Sequence, residues 1–145
     1  MRHQVAGYKL NRTKSGRIAL RRNLMKQFFM NERIRTTKAK AAAIRGNSEK
    51  LIPLARNVKE GSDDEKVAAR RAVAAELGNN SNEVIKKLFD EIGPRFSNRN
   101  GGYTRIYKLA KVRQGDCSQM AVISLLGEDE AVSASTTIAP VVASE

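Results

Sequence analysis

Residues 101–126 read GGYTRIYKLAKVRQGDCSQMAVISLL. From Tyr103 to about Arg113, side chains alternate between two faces, and a second alternating run begins at Gln119. The segment Gln114-Gly115-Asp116 between the two runs has the residue types of a turn. This pattern predicts a β-hairpin, which supplies two strands of a small sheet.

Before the hairpin, apolar residues recur at helical spacing. A first helix is predicted over about residues 16–30, with Ser15 as its cap. Glu32–Thr36 alternates polar and apolar residues and predicts a short strand. Thr37 is then expected to cap a long helix of about 20 residues. Pro53 lies inside that helix, which leaves open whether it kinks or forms two pieces.

Two more helices carry start and stop signals. Ser62-Asp63-Asp64-Glu65 has the form of a capping box, and its helix should end at Gly78. Asn80-x-x-Glu83 should open the next helix, and Gly93-Pro94 should end it. The predicted order is helix, strand, three helices and two strands. We therefore expect an α+β fold with a small mixed sheet covered by helices on one face.

The chain is predicted to have three parts. Residues 1–14 lack apolar periodicity, so we expect an extended basic arm that is disordered until a partner orders it. Residues 15–126 should form a single α+β domain. Residues 127–145 are small, polar or acidic and predict a disordered acidic tail.

Charge is the strongest functional signal in the sequence. The chain has 27 Lys and Arg against 15 Asp and Glu, a net charge of +12. Residues 1–30 contain eight basic side chains and no acid, and residues 95–113 contain six and no acid. A solvated helical face normally mixes both signs, so these blocks favour binding to a polyanion. Nucleic acid is the first candidate and an anionic membrane surface the second.

The segment GPRFSNRNGGYTR, residues 93–105, combines arginines with paired glycines. Arginine matches phosphate oxygens bidentately, and glycine lets a backbone approach a phosphate closely. Tyr103 has two interpretations, stacking on a base or ribose and packing in the core. The predicted RNA-binding residues are Arg2, His3, Lys9, Arg12, Lys14, Arg17, Arg21, Arg22, Lys38, Arg95, Arg99, Gly101, Gly102, Tyr103 and Arg105.

The sequence predicts no catalytic site, metal or cofactor, and so no enzyme. His3 is the single histidine and has no second ligand or base partner. Cys117 is the single cysteine and lies in a predicted turn. There is no phosphate-binding loop, dinucleotide fingerprint or 18-residue apolar run, so neither a small-molecule substrate nor a transmembrane helix is expected.

Several runs are specific enough to point to one family. Leu88-Phe89-x-x-Ile92-Gly93-Pro94-Arg95 and Gly101-Gly102-Tyr103-Thr104-Arg105-Ile106 are the most specific. Met1-Arg2-His3 and Ile34-x-Thr36-Thr37-x-x-Lys40-Ala41 add to them. With these runs, about residues 1–126 resemble the seventeenth protein of the bacterial large ribosomal subunit.

The resemblance implies a structural constituent of the large ribosomal subunit in the bacterial cytoplasm. Its partners would be large-subunit ribosomal RNA and neighbouring ribosomal proteins, and it would support subunit assembly and translation. From the residues alone, a DNA-binding regulator or nucleoid protein is the rival, although no helix-turn-helix pair or dimerisation heptad is visible. A protein that binds anionic membranes is a weaker rival.

Overall fold

The computed structural model describes residues 7–58 and 62–127. The order of its elements confirms the predicted α+β class. The helices are α1 (Lys14–Asn31), α2 (Lys38–Arg56), α3 (Asp63–Leu77) and α4 (Asn82–Lys87), which continues through a π-helical turn (Leu88–Ile92) into α5 (Gly93–Arg95). The strands are β1 (Arg33–Thr37), β2 (Thr104–Val112) and β3 (Gln119–Leu125).

Helix α1 begins slightly earlier than predicted. Its N-cap is Thr13, because the Thr13 hydroxyl accepts a hydrogen bond from the Gly16 N–H at 3.3 Å. The predicted cap, Ser15, lies inside the first turn, so that prediction was wrong by two residues. Helix α1 therefore includes Lys14, which was assigned to the arm. Residues 1–6 of the predicted arm and 128–145 of the predicted tail lie outside the described residues.

The predicted start and end of α3 agree with the structure, and the predicted start of α2 agrees in part. The capping box is confirmed, since Ser62 Oγ accepts from the Glu65 N–H and Glu65 Oε2 accepts from the Ser62 N–H at 3.1 Å. Gly78 follows the last residue of α3, as expected. Thr37 occupies the N-cap position of α2, but its side chain makes no capping bond. Helix α2 is one helix that contains Pro53 in its last turn.

The prediction that Gly93-Pro94 ends a helix was wrong. The helical backbone continues through the π-helical turn and α5, and its C-cap is Phe96. Pro94 lies at the start of α5, just after this π-helical turn. A Cβ built on Gly93 would lie 3.1 Å from the backbone carbonyl of Ala55. Glycine thus permits close contact between α5 and the end of α2.

The described strands form one antiparallel sheet in the order β1-β3-β2. The predicted mixed sheet was wrong in this respect. Strand β3 returns antiparallel to β2 through the hairpin turn and also runs antiparallel to β1. It is therefore the central strand, and no parallel pair arises. The sequence revealed the hairpin but not which of its strands β1 would join.

The register divides the sheet into two faces. Ile34, Ile123 and Ile106 lie side by side on the inner face, with Ala121 and Leu125. These residues belong to or pack against one core cluster with Phe28 and Phe29 of α1 and Ile44 and Ile52 of α2. The opposite face, called the outer sheet face here, consists of Arg33, Arg35, Thr37, Arg105, Tyr107, Met120, Val122 and Ser124.

Candidate nucleic-acid interface

Helix α1 contacts the end of α3 through one predicted RNA-binding residue, Arg22, and through Lys26. Arg22 donates from Nη2 to the Ala75 carbonyl at 3.0 Å and from Nε to the Glu76 carbonyl at 3.2 Å. Lys26 Nζ donates to the Asn79 carbonyl, just past the end of α3. Cations are favourable at a helix C-terminus, where carbonyls carry the negative end of the dipole. Arg22 thus has a structural role that the sequence did not reveal.

The arm-proximal part of the basic block is open to solvent. The side chains of Lys9, Arg12, Lys14 and the separate Lys38 are exposed, whereas Arg17 and Arg21 are half-buried. Arg17 Nη1 donates to the Arg12 carbonyl at 2.8 Å, which fixes the chain as it enters α1. The predicted sites Arg2 and His3 lie outside the described residues.

Glu32 connects β1 to the helical segment that ends in α5. Its carboxylate accepts from both terminal nitrogens of Arg95, with Nη2 at 3.2 Å from Oε1, and lies 3.2 Å from Lys87 Nζ. The hydrogen bond from Arg95 lowers the pKa of the Glu32 carboxyl; burial opposes this, and the hydrogen bond from Lys87 reinforces it. Arg95 therefore holds two elements together, and its predicted RNA contact stays a prediction.

The glycine-containing loop before β2, residues 99–103, is held by hydrogen bonds from Arg56. Arg56 Nη1 donates to the Arg99 carbonyl at 2.6 Å and to Asn100 Oδ1 at 3.0 Å. Arg99 Nε donates to the Gly101 carbonyl at 3.1 Å. Gly102 has a φ of 64°, a left-handed conformation that favours glycine. The backbone of this loop is thus fixed, while Gly101 is exposed.

Tyr103 is not the stacking residue of this region. Its side chain is 1% exposed, its ring centroid lies 5.1 Å from that of Phe96, and its hydroxyl donates to the Arg99 carbonyl at 3.0 Å. A ring buried in the core cannot accept a base on its face, so the core interpretation of Tyr103 is correct. Tyr107, four residues further along the chain in β2, is 47% exposed.

The outer sheet face contains cations that sequence reasoning did not single out. Arg33 and Arg35 of β1 are exposed, as are Arg105 and Tyr107 of β2. The register places Arg33 and Arg105 on either side of Ser124, and Arg35 and Tyr107 on either side of Val122. Alternation indicated that Arg105 and Tyr107 share a face. The order of the strands was needed to add Arg33 and Arg35.

The acids near these cations are mostly paired. Asp116 in the hairpin turn accepts from Arg113 and Ser118, and the bond from Arg113 is the largest cause of its strongly lowered pKa. Glu49 accepts from the Thr104 hydroxyl at 2.8 Å and lies 3.5 Å from Arg45. Within residues 7–58 and 62–127, no group of three His, Cys, Asp or Glu side chains could hold a metal ion.

The protein is a small α+β body. It has exposed basic side chains at the start of a helix, in a loop and on a sheet face. These features are typical of one class of protein, the basic scaffolds that bind polyanions. In the part of the chain that the structure describes, no helix is long and apolar enough to span a membrane. The comparison with known families is more specific. The sequence model of the family described as Ribosomal protein L17 matches residues 20–126.

Curated relatives extend this match over nearly the whole chain. The protein named "Large ribosomal subunit protein bL17" of Maridesulfovibrio salexigens is 44% identical over 144 residues, which cover 97% of this chain and 95% of the relative. The one of Desulfotalea psychrophila is 45% identical and covers 94% and 98%. The one of Thermus thermophilus is 44% identical and covers 87% and 99%. The chain belongs to the ribosomal protein L17 family, as its motifs predicted.

Proposed function

We infer that the chain is a structural constituent of the large ribosomal subunit, where it binds large-subunit ribosomal RNA and neighbouring ribosomal proteins. Family membership supports this inference, because the curated relatives carry the name of a large-subunit protein. Its place of action is then the ribosome in the bacterial cytoplasm, and its role is to support subunit assembly and translation without catalysis. The observation that carries the RNA-binding part is the separation of charge into acid-free basic blocks.

The proposed mechanism assigns different tasks to the body and the arm. The body, residues 13–126 with the cap of α1 included, folds by itself around one core and presents exposed cations at fixed positions. The arm, residues 1–12, gains order when its cations meet phosphates, so the cost of ordering is offset only in the complex. Residues 127–145 are proposed to remain an acidic tail. The contacts of Lys9, Arg12, Lys14, Lys38, Arg99, Gly101 and Arg105 with RNA belong to this proposal.

The salt dependence of RNA affinity is a measurable quantity that the proposal predicts. Each Lys or Arg that contacts a phosphate releases a condensed counterion, so log Kobs falls linearly with the logarithm of the salt concentration. About eight phosphate contacts would give a slope of roughly −6 to −7 at −0.7 to −0.9 per contact. Recognition of folded RNA would rest mainly on shape and on contacts to phosphates and 2′-hydroxyls.

The test is sedimentation of a tagged full-length chain in lysate. The proposal expects it to migrate with large subunits after a moderate salt wash. The rival function, a DNA-binding regulator, predicts migration with the nucleoid fraction and release by DNase. Filter binding to large-subunit RNA and to a random-sequence DNA duplex of similar length provides the matched comparison in purified form.

A second experiment tests the division between arm and body. Deletion of residues 1–12 keeps Thr13, whose hydroxyl caps α1. The truncated chain should bind large-subunit RNA more weakly, with a smaller salt slope, and should keep its thermal transition nearly unchanged. A truncated chain that fails to fold would refute the proposed division.

A further inference from the structure

The outer sheet face has a nearly buried valine at its centre, and this valine is not part of the main core cluster. Val122 lies at its centre and is 7% exposed, yet it does not belong to the main core cluster. Its cross-strand neighbours are Arg35 on one side and Tyr107 on the other. Directly opposed side chains lie about 5 Å apart at Cβ, close enough to cover a small residue between them. Arg35 and Tyr107 are therefore the side chains that flank Val122 on this face.

The charge on this face has one sign. Arg33, Arg35 and Arg105 project from it, and its remaining members are uncharged. For these three arginines the described residues provide no hydrogen bond or ion pair, whereas nearby Arg56, Arg95 and Arg113 are all engaged in such contacts. The arginines of the outer sheet face are therefore exposed and, among the described residues, without such partners, whereas these three other arginines are held by the protein.

The spacing of the face suits a nucleic-acid strand. Neighbouring strands lie about 4.8 Å apart, so the outer strands β1 and β2 are separated by roughly 10 Å across β3. Arg33 and Arg35 thus lie along one edge of the face, on β1. Arg105 lies along the other edge, on β2, with Tyr107 as its next neighbour on the same face. An aromatic ring with cations on both sides is the combination that binds single-stranded RNA, with the ring under a base and the cations on phosphates.

We propose that the outer sheet face is an RNA-docking surface that takes an unpaired nucleotide on the ring of Tyr107, with Arg33, Arg35 and Arg105 on the flanking phosphates. This inference rests on the proposed function and names the surface and the form of RNA that it recognises. Charge complementarity favours RNA as the occupant, because the face presents three exposed arginines beside one exposed aromatic ring and no acid.

The test uses the full chain, a 12-nucleotide single-stranded RNA and a blunt RNA duplex of the same length. Tyr107→Ser removes the ring, and its affinity for the single strand should fall roughly 5- to 150-fold, the range for loss of one base–aromatic stack. Tyr107→Phe keeps the ring and should bind within about twofold of the unchanged chain. Binding to the duplex, in which bases are stacked already, should change little in both variants.

A charge variant tests the arginines separately. Arg35→Gln combined with Arg105→Gln should weaken binding of both RNAs and reduce the salt slope by about 1.4, at 0.7 per lost phosphate contact on a single strand. Arg71→Gln combined with Lys86→Gln is the matched control, because it also removes two exposed cations, one on α3 and one on α4. Both lie within residues 61–94, which contain five basic and seven acidic side chains. This control should change the slope by less than the variant of Arg35 and Arg105 does. Circular dichroism and the Tm confirm that each variant is folded.

The outcomes separate this inference from the proposed function. If the unchanged chain enters large subunits and Tyr107→Ser binds the single strand as well as Tyr107→Phe does, the docking surface is refuted and the function stands. An equal loss with the Arg71→Gln and Lys86→Gln double variant would also refute it, because only general charge would then matter. If Tyr107→Ser binds RNA normally but fails to enter subunits, the face is a protein contact. If the unchanged chain itself does not enter subunits, the proposed function fails.

Discussion

Glu32 should be the acid whose loss destabilises the folded chain most. Replacing Glu32 by Gln keeps the shape of the side chain but removes the charge from two half-buried cations. The side chains of Glu32, Arg95 and Lys87 are 29%, 24% and 23% exposed, so the site lies between a surface pair and a buried one. Hydrogen bonds to charged groups contribute about 1.5–3 kcal/mol when shielded, and exposed ion pairs about 0–1 kcal/mol. We expect a loss of about 1–2 kcal/mol, and a Tm lower by roughly 3–8 °C.

The assay is urea unfolding followed by circular dichroism, with Glu91→Gln as the matched control. Glu91 also reaches Lys87, but at 4.0 Å and with 61% exposure, so its loss should cost less than about 0.5 kcal/mol. The reasoning is refuted if the two variants have the same free energy of unfolding. That result would mean that the contact of Glu32 with Arg95 is no stronger than an exposed pair.

The remaining predictions concern pH, glycine and a helix cap. Folding lowers the pKa of Glu32. The stability that its carboxylate gives the fold is therefore present above pH 4.5, the ordinary pKa, and is lost as pH falls through the lowered pKa. In acid titrations, the difference in unfolding free energy between the unchanged chain and Glu32→Gln should therefore shrink. Gly93→Ala should cost about 1–3 kcal/mol in urea unfolding, because its Cβ would meet the Ala55 backbone at 3.1 Å. Gly46→Ala, with nothing within 4 Å, should instead stabilise by about 0.4–1 kcal/mol. Ser62→Ala should cost about 1 kcal/mol by the same method, since it removes one half of the capping box of α3.

Local signals predicted the local structure well. The capping box at Ser62, the stop at Gly78 and the hairpin turn each depend on a few neighbouring residues, so they can be recognised without knowledge of the fold. The helix end expected at Gly93-Pro94 failed because a tertiary contact decided it. The backbone of Ala55 lies against Gly93, and packing there favours continued helix over the usual meaning of the two residues.

The sequence predicted which types of residue form the candidate site, but not which of them lie together on the surface. Strand alternation puts Tyr103, Arg105 and Tyr107 on one face, yet Tyr103 is in the core. The reason is that β2 begins at Thr104, after Gly102 in a left-handed conformation, so alternation does not extend back to Tyr103. Arg33 was missed because its neighbours on the sheet are 70 or more positions away in sequence, as its register with Ser124 and Arg105 shows.

The engaged arginines show a second limit of sequence reasoning. Arg22 and Arg95 look like their exposed neighbours in the sequence, since all belong to acid-free blocks. Only the fold reveals that Arg22 meets the C-terminus of α3 and that Arg95 meets Glu32. Net charge therefore predicts the type of partner, whereas the fold separates cations that stabilise the chain from those available to the partner.

The central claim is that solvated cations on this body have ribosomal RNA as their counterion. Its most direct measurement is ultraviolet crosslinking of intact large subunits that contain the tagged chain, with mass spectrometry to locate nucleotide adducts. The account predicts adducts on peptides that include Tyr107 or the segment 99–105. It is contradicted if particles that contain the chain yield adducts only on the face of α3, or if the chain is absent from large subunits.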